Sequence, residues 1–153
     1  MPQVTQLPIL VPLAVGAAIV LCTICIHALA VGATVSFVRY QRHKGLVGTS
    51  FLIDFAIVVL VVIFAFSAHL SEIALWAGLF LICGEFGDFG VAFYHSAVNY
   101  TTLGYGDIIL TPSWRLLGPL EAANGVLLFG VSAAIVFTVI QHLMLARFRD
   151  LRD

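Results

Sequence analysis

A chain of 153 residues that is 61% hydrophobic and only 10% charged has too little polar surface to cover a soluble globule. Its formal net charge of −1 carries no signal for a charged partner, and no nucleic acid is expected. The composition points to a membrane protein with the lipid bilayer as its main surroundings, and we expect an all-α, multi-pass protein of the plasma (inner) membrane.

Three apolar stretches, residues 7–38, 51–83 and 119–145, exceed the roughly 20 residues that cross a bilayer core. The first carries no charge, so it is not a voltage sensor built on repeated arginines. At about 1.5 Å per residue it would reach roughly 48 Å against a core of about 30 Å, so it tilts or protrudes. Pro8 and Pro12 put its true start a few residues in, and Gly16, Ala17, Ala28, Gly32 and Ala33 offer small surfaces for close helix approach. We read residues 1–40 as a peripheral N-terminal transmembrane helix. Cys22 and Cys25 on it read as small apolar groups, with a metal-binding trio including His27 as the alternative.

The cations cluster at two places. Arg39, Arg42 and Lys44 lie at a loop expected over 41–50, Arg147, Arg149 and Arg152 lie in a tail over 147–153, and only Arg115 is elsewhere. The positive-inside rule makes that loop and the C-terminus cytoplasmic and the N-terminus external. The first residues hold no Lys or Arg, which disfavours a cleavable signal peptide.

An outer helix follows over 51–83, with Thr49 or Ser50 as its cap and Asp54 in its first turn, facing the helix dipole or pairing with the basic loop. His69 and Glu72 are spaced i, i+3 and are candidate proton sensors or a buried pair that pins the helix. Two glycines and two acids then form an external turret, where Glu85 and Asp88 are either a negative mouth or ordinary solvated loop residues. Turret and pore helix together occupy 84–101, the pore helix being a short re-entrant one that descends part-way and stops. After it comes a polar, glycine-bearing run, and non-helical backbone at membrane depth is tolerated only where it lines water or is buried in protein.

That run, Thr102-Leu103-Gly104-Tyr105-Gly106-Asp107, resembles the TVGYG signature of the potassium-channel superfamily, with Leu103 where the family most often has Val. The likeness is to the bacterial two-helix pore-domain (pore-loop) ion channels, here with an extra N-terminal transmembrane helix, and covers about residues 51–141. It implies a selectivity filter over 102–107 in which the carbonyls of Thr102, Leu103, Gly104 and Tyr105 replace the hydration shell of K+. Gly104 and Gly106 supply backbone angles that a side chain would obstruct. Tyr105 packs behind the filter, supported by Tyr94, His95, Val98 and Glu121. Asp107 bonds His95 or turns outward.

The inner helix is expected over 119–146, with Pro119 in its first turn. Gly125 and Gly130 resemble the hinge glycine and Phe-Gly pair of bacterial potassium channels, which would make Val126, Phe129, Ala133 and Phe137 cavity-lining at helical spacing. Glu121 either complements the helix start or partners His69, His95 or Arg115. His142 is a third candidate proton sensor or a solvated interfacial residue. Residues 51–148 thus form the pore domain.

The expected architecture is three transmembrane helices plus a re-entrant pore helix and selectivity-filter loop, assembling as a four-fold homotetramer. The expected function is passive, potassium-selective conduction through a TLGYGD filter. The alternatives are a weakly selective cation channel and a non-conducting accessory or sensor subunit that keeps the pore fold. No enzymatic activity and no cofactor beyond K+ ions in the filter are expected. Gating would be intrinsic, lipid-borne, or supplied by a regulatory protein.

Overall fold

The computed structural model describes residues 8–149, with Arg149 described by its backbone alone. The expectations for residues 1–7, for the Arg149 side chain and for Arg152 lie outside the described residues. Four helices and no strand make up that span: α1 (Leu10–His43), α2 (Phe51–Ile82), α3 (Phe89–Tyr100) and α4 (Leu117–Arg149). α1, α2 and α4 are long and apolar enough to cross a membrane, so the chain is an all-α, multi-pass membrane protein. At 12 residues, α3 is too short to do so.

The helix ends follow from local chemistry and shift several expected boundaries, α4 also running to Arg149 beyond the expected 146. α1 continues through Gln41, Arg42 and His43, so the connection expected over 41–50 begins at Lys44; Arg42 and His43 suit the negative end of the helix dipole. It stops at Gly45, whose φ of 67° is left-handed. The Gly45 N–H donates to Arg42 O and the Leu46 N–H to Gln41 O, the two bonds of a Schellman cap. α2 ends in the same way one residue before the expected 83, with Gly84 at φ 73° and bonds from Gly84 and Glu85 to Leu81 O and Phe80 O. α4 starts at Leu117 rather than 119, and Pro119 sits inside the first turn, where a missing N–H leaves no partner unsatisfied.

The chain packs as two compact units, each drawing on α1, α2 and α4. The first joins residues 8–25 to 70–128 and holds α3. Its core is Ile73, Trp76, Phe80, Tyr100, Leu110 and Leu117. α1 fits here through Gly16, where a Cβ would lie 2.5 Å from Leu120 Cδ1. Close approach at a small residue is how helices associate when lipid competes for every apolar side chain. One turn further in, buried Asn124 donates through Nδ2 to the Thr23 hydroxyl at 2.9 Å. The N-terminal helix is therefore bound to α4 by shape and by a hydrogen bond.

The second unit joins residues 26–69 to 129–149 around Ile57, Val61, Val139 and Leu143, with Phe37, Val47 and Val136 against them. Its loop lies on the end of α4: a Cβ on Gly48, at φ 81°, would be 3.3 Å from the Ala146 and Arg147 backbone. Asp54 accepts the Gly48 N–H at 3.0 Å, and Arg147 Nη1 stands 3.9 Å from its other oxygen. The cation that Asp54 meets is on α4, not in the basic loop, and a pair so long and half-exposed adds little stability.

Candidate functional site

The site is built in the first unit by α3 and the run that follows it. Asp88, extended at φ −128° and ψ 136°, caps α3 by accepting the Val91 N–H at 3.0 Å. Glu85 accepts both the N–H and the hydroxyl of Thr111. Both acids of the expected mouth are thus engaged in local hydrogen bonds, Asp88 with the start of α3 and Glu85 with Thr111.

Three contacts fix α3 from behind. The Ser96 hydroxyl donates to Ile73 O on α2 at 2.9 Å and also meets Glu121 Oε1 on α4. The one hydroxyl of Ser96 thus ties α3 to both α2 and α4. The Tyr100 hydroxyl donates to Glu72, and all four side chains are fully buried or nearly so. Gly125 admits the third contact: a Cβ there would lie 2.1 Å from the Tyr100 carbonyl oxygen. Glu72, read from sequence as a candidate proton sensor or one of a buried pair that pins its helix, and Glu121, read as a filter support, both anchor α3. The partners expected for Glu121 were His69, His95 and Arg115; the side chain it meets is Ser96.

Where α3 ends, its last carbonyls take the next N–H groups. Thr102 N–H donates to Asn99 O at 2.8 Å, and Leu103 and Gly104 N–H groups donate to Val98 O at 2.9 and 3.3 Å. From there φ is positive at Thr102 (60°), Gly104 (58°) and Gly106 (71°), with Leu103 and Tyr105 on the negative side. A regular strand points successive carbonyls to opposite sides, whereas handedness that alternates residue by residue turns them to one side. Glycine serves at 104 because of this angle, since a Cβ there would meet nothing closer than 3.9 Å. Thr102 holds a left-handed angle despite its Cβ, a strain of about 1–3 kcal/mol carried by the bonds around it. Residues 101–107 are all exposed.

The side chains flanking the run share the work differently from the sequence reading. Asp107 accepts the Tyr94 hydroxyl at 2.8 Å and the N–H of Ile108 at 3.1 Å; it does not bond His95. Adjacent residues of a helix point about 100° apart, so Tyr94 and His95 cannot serve the same target. His95 Nδ1 stands 3.1 Å from Ile108 O, and Asn99 Nδ2 stands 2.8 Å from His95 Nε2. The neutral tautomer with its proton on Nδ1 satisfies both, donating forward and accepting behind. Burial lowers the His95 pKa, opposed in part by the Ile108 carbonyl and by Glu85 and Asp107. Ser96, Asn99 and Tyr100 are supports that sequence reasoning missed; their spacing along α3 was the available signal.

Along α4, Val126, Phe129 and Phe137 are 55%, 38% and 65% exposed and Ala133 is exposed as well, so the expected cavity stripe is uncovered in the single chain. Gly130 meets nothing within 4 Å of a built Cβ. His142 is half-buried. His69 lies in the second unit beside Ser132, while Cys22 and Cys25 are exposed.

Three long apolar helices, a short helix that cannot span and a glycine-bearing run with positive φ at every second residue define the class: a helical, multi-pass membrane protein. Residues 51–142, more than half of the chain, match the model of a protein family described as "Ion channel". The chain belongs to that ion-channel family. Neither the curated proteins nor the solved structures yield a match.

Proposed function

We propose that the chain is the subunit of a potassium-selective channel in which four copies surround one axis and K+ passes down its electrochemical gradient through residues 102–107. The observation that carries this reading is the left-handed backbone at every second residue of that run, anchored to Val98 and Asn99 carbonyls. A single run provides one wall of oxygens, and rings of carbonyls that replace a hydration shell need several. The exposed stripe on α4 supports the same symmetry, as does a cleft of about 620 Å³ beside the filter, bordered by His95, Asn99, Gly104, Ile109 and Arg115.

In this reading the filter faces the external side, the C-terminus is cytoplasmic, and the membrane is the plasma (inner) membrane, by the placement of Arg39, Arg42, Lys44 and Arg147. Gly125 and Gly130 are the candidate hinge. The reading is tested by Gly104→Ala, whose Cβ must adopt a left-handed angle. K+ flux into liposomes should be abolished while the assembly survives; undiminished flux would refute the filter assignment.

A further inference from the structure

The second unit holds a cluster of side chains that ion conduction does not use. His27 on α1 is 3% exposed and His69 on α2 is 6% exposed. Both point Nε2 at one atom, the Ser132 hydroxyl oxygen on α4, at 3.2 Å from His27 and 3.0 Å from His69. Their ring centres are 5.1 Å apart. Three helices thus deliver three donor atoms to one point among Ala30, Val31, Val61, Ala65 and Val136.

Polar side chains at such depth are costly and need partners. A serine that joins two histidines satisfies each, donating to one Nε2 and accepting N–H from the other, but the same convergence also suits a metal ion. Ligand atoms about 2.0–2.1 Å from a tetrahedral Zn2+ are about 3.3 Å from one another. The two Nε2-to-Oγ separations are within a few tenths of an ångström of that edge. The ligand atoms of His27 and His69 lie within 4.8 Å of each other, so small side-chain rotations complete the triangle. A void of about 10 Å³ touches both His27 and Ser132, enough for one small ion. A groove of about 460 Å³, lined by His69, Ser132, Phe129 and Phe137, leads to the cluster.

We infer that His27, His69 and Ser132 form a binding site for a borderline divalent transition-metal ion, with Zn2+ as the probe. Two neutral imidazoles provide the strong ligands, the hydroxyl the third, and water the fourth. Glu72, one turn further along α2, is occupied by the Tyr100 hydroxyl and is not needed for the site. A bound ion ties α1, α2 and α4 together beside Phe129, whose ring centre is 4.4 Å from that of His69.

The test is Zn2+ binding to the full chain, purified in detergent and stripped with chelator, titrated against a chromophoric competitor. About one ion per subunit should bind, and His27→Gln and His69→Gln should each weaken binding at least tenfold. A Cys22→Ser, Cys25→Ser double variant should bind as the parent does. Absence of saturable binding, or equal binding by both histidine variants, would overturn the site and leave Ser132 as a hydrogen-bonded tie. If the histidine variants do not fold, X-ray absorption of the Zn2+-loaded parent decides: two imidazole ligands support the site, and none contradicts it. Binding is read without ion flux, so its failure is separate from failure of the channel reading.

Discussion

His95 shows how one side chain can connect the filter to its support. Its neutral ring donates to Ile108 O and accepts from Asn99, a pattern that a second ring proton would break. The folded-state pKa is lowered, so between it and the ordinary value near 6.5 the unfolded chain binds more protons than the folded one. Stability from this residue is therefore complete above about pH 6.5 and is lost as pH falls through that window. Melting curves of the solubilised protein from pH 8 to 5 should show a decline that His95→Gln flattens; parallel curves would contradict this role. Tyr100 offers a second check. Tyr100→Phe removes a donor from fully buried Glu72 and should cost about 1–3 kcal/mol in denaturation, with Glu72→Gln in the same chain restoring part of it.

Among the elements, the inner helix carries two glycines with different reasons to exist. Gly125 lets the Tyr100 carbonyl approach where a methyl would be 2.1 Å away, and Gly130 faces open space. Gly125→Ala should lower stability by about 1–3 kcal/mol or more through displacement of α3. Gly130→Ala should be neutral or gain up to about 1 kcal/mol of helix propensity. Thermal denaturation of the two variants checks this, and equal effects would contradict the packing role of Gly125. The helices themselves were legible in the sequence, because long apolar runs closed by Gly45 and Gly84 admit few alternatives. The left-handed backbone at 104 and 106 was legible from the glycines there, whereas that at Thr102 was not. The anchors were not: Ser96 meets Ile73 and Glu121, Thr23 meets Asn124, and Ser132 meets His27, at separations of 23 to 105 residues. A lone small hydroxyl in an apolar run gives no sign of which distant helix it faces. Of the two alternatives for Asp107, the bond to His95 does not form for a local reason, since Tyr94 and His95 are neighbours in the chain but occupy different faces of α3.

At the scale of the molecule, the N-terminal helix buries Thr23, His27 and Thr34 while Leu21, Ile24 and Leu29 are exposed. Apolar groups outward and hydroxyls or imidazole inward is the arrangement lipid favours. Residues 101–107 and the Val126, Phe129, Ala133 and Phe137 stripe are among the exposed surfaces, and the proposed assembly closes around them. In the proposed channel, conduction needs no energy source and selectivity resides in backbone oxygens. The most direct measurement is a planar-bilayer recording of the purified protein with K+ on one side and Na+ on the other. The account predicts a reversal potential close to the K+ equilibrium value; a reversal near zero, or no current from an intact assembly, would contradict it.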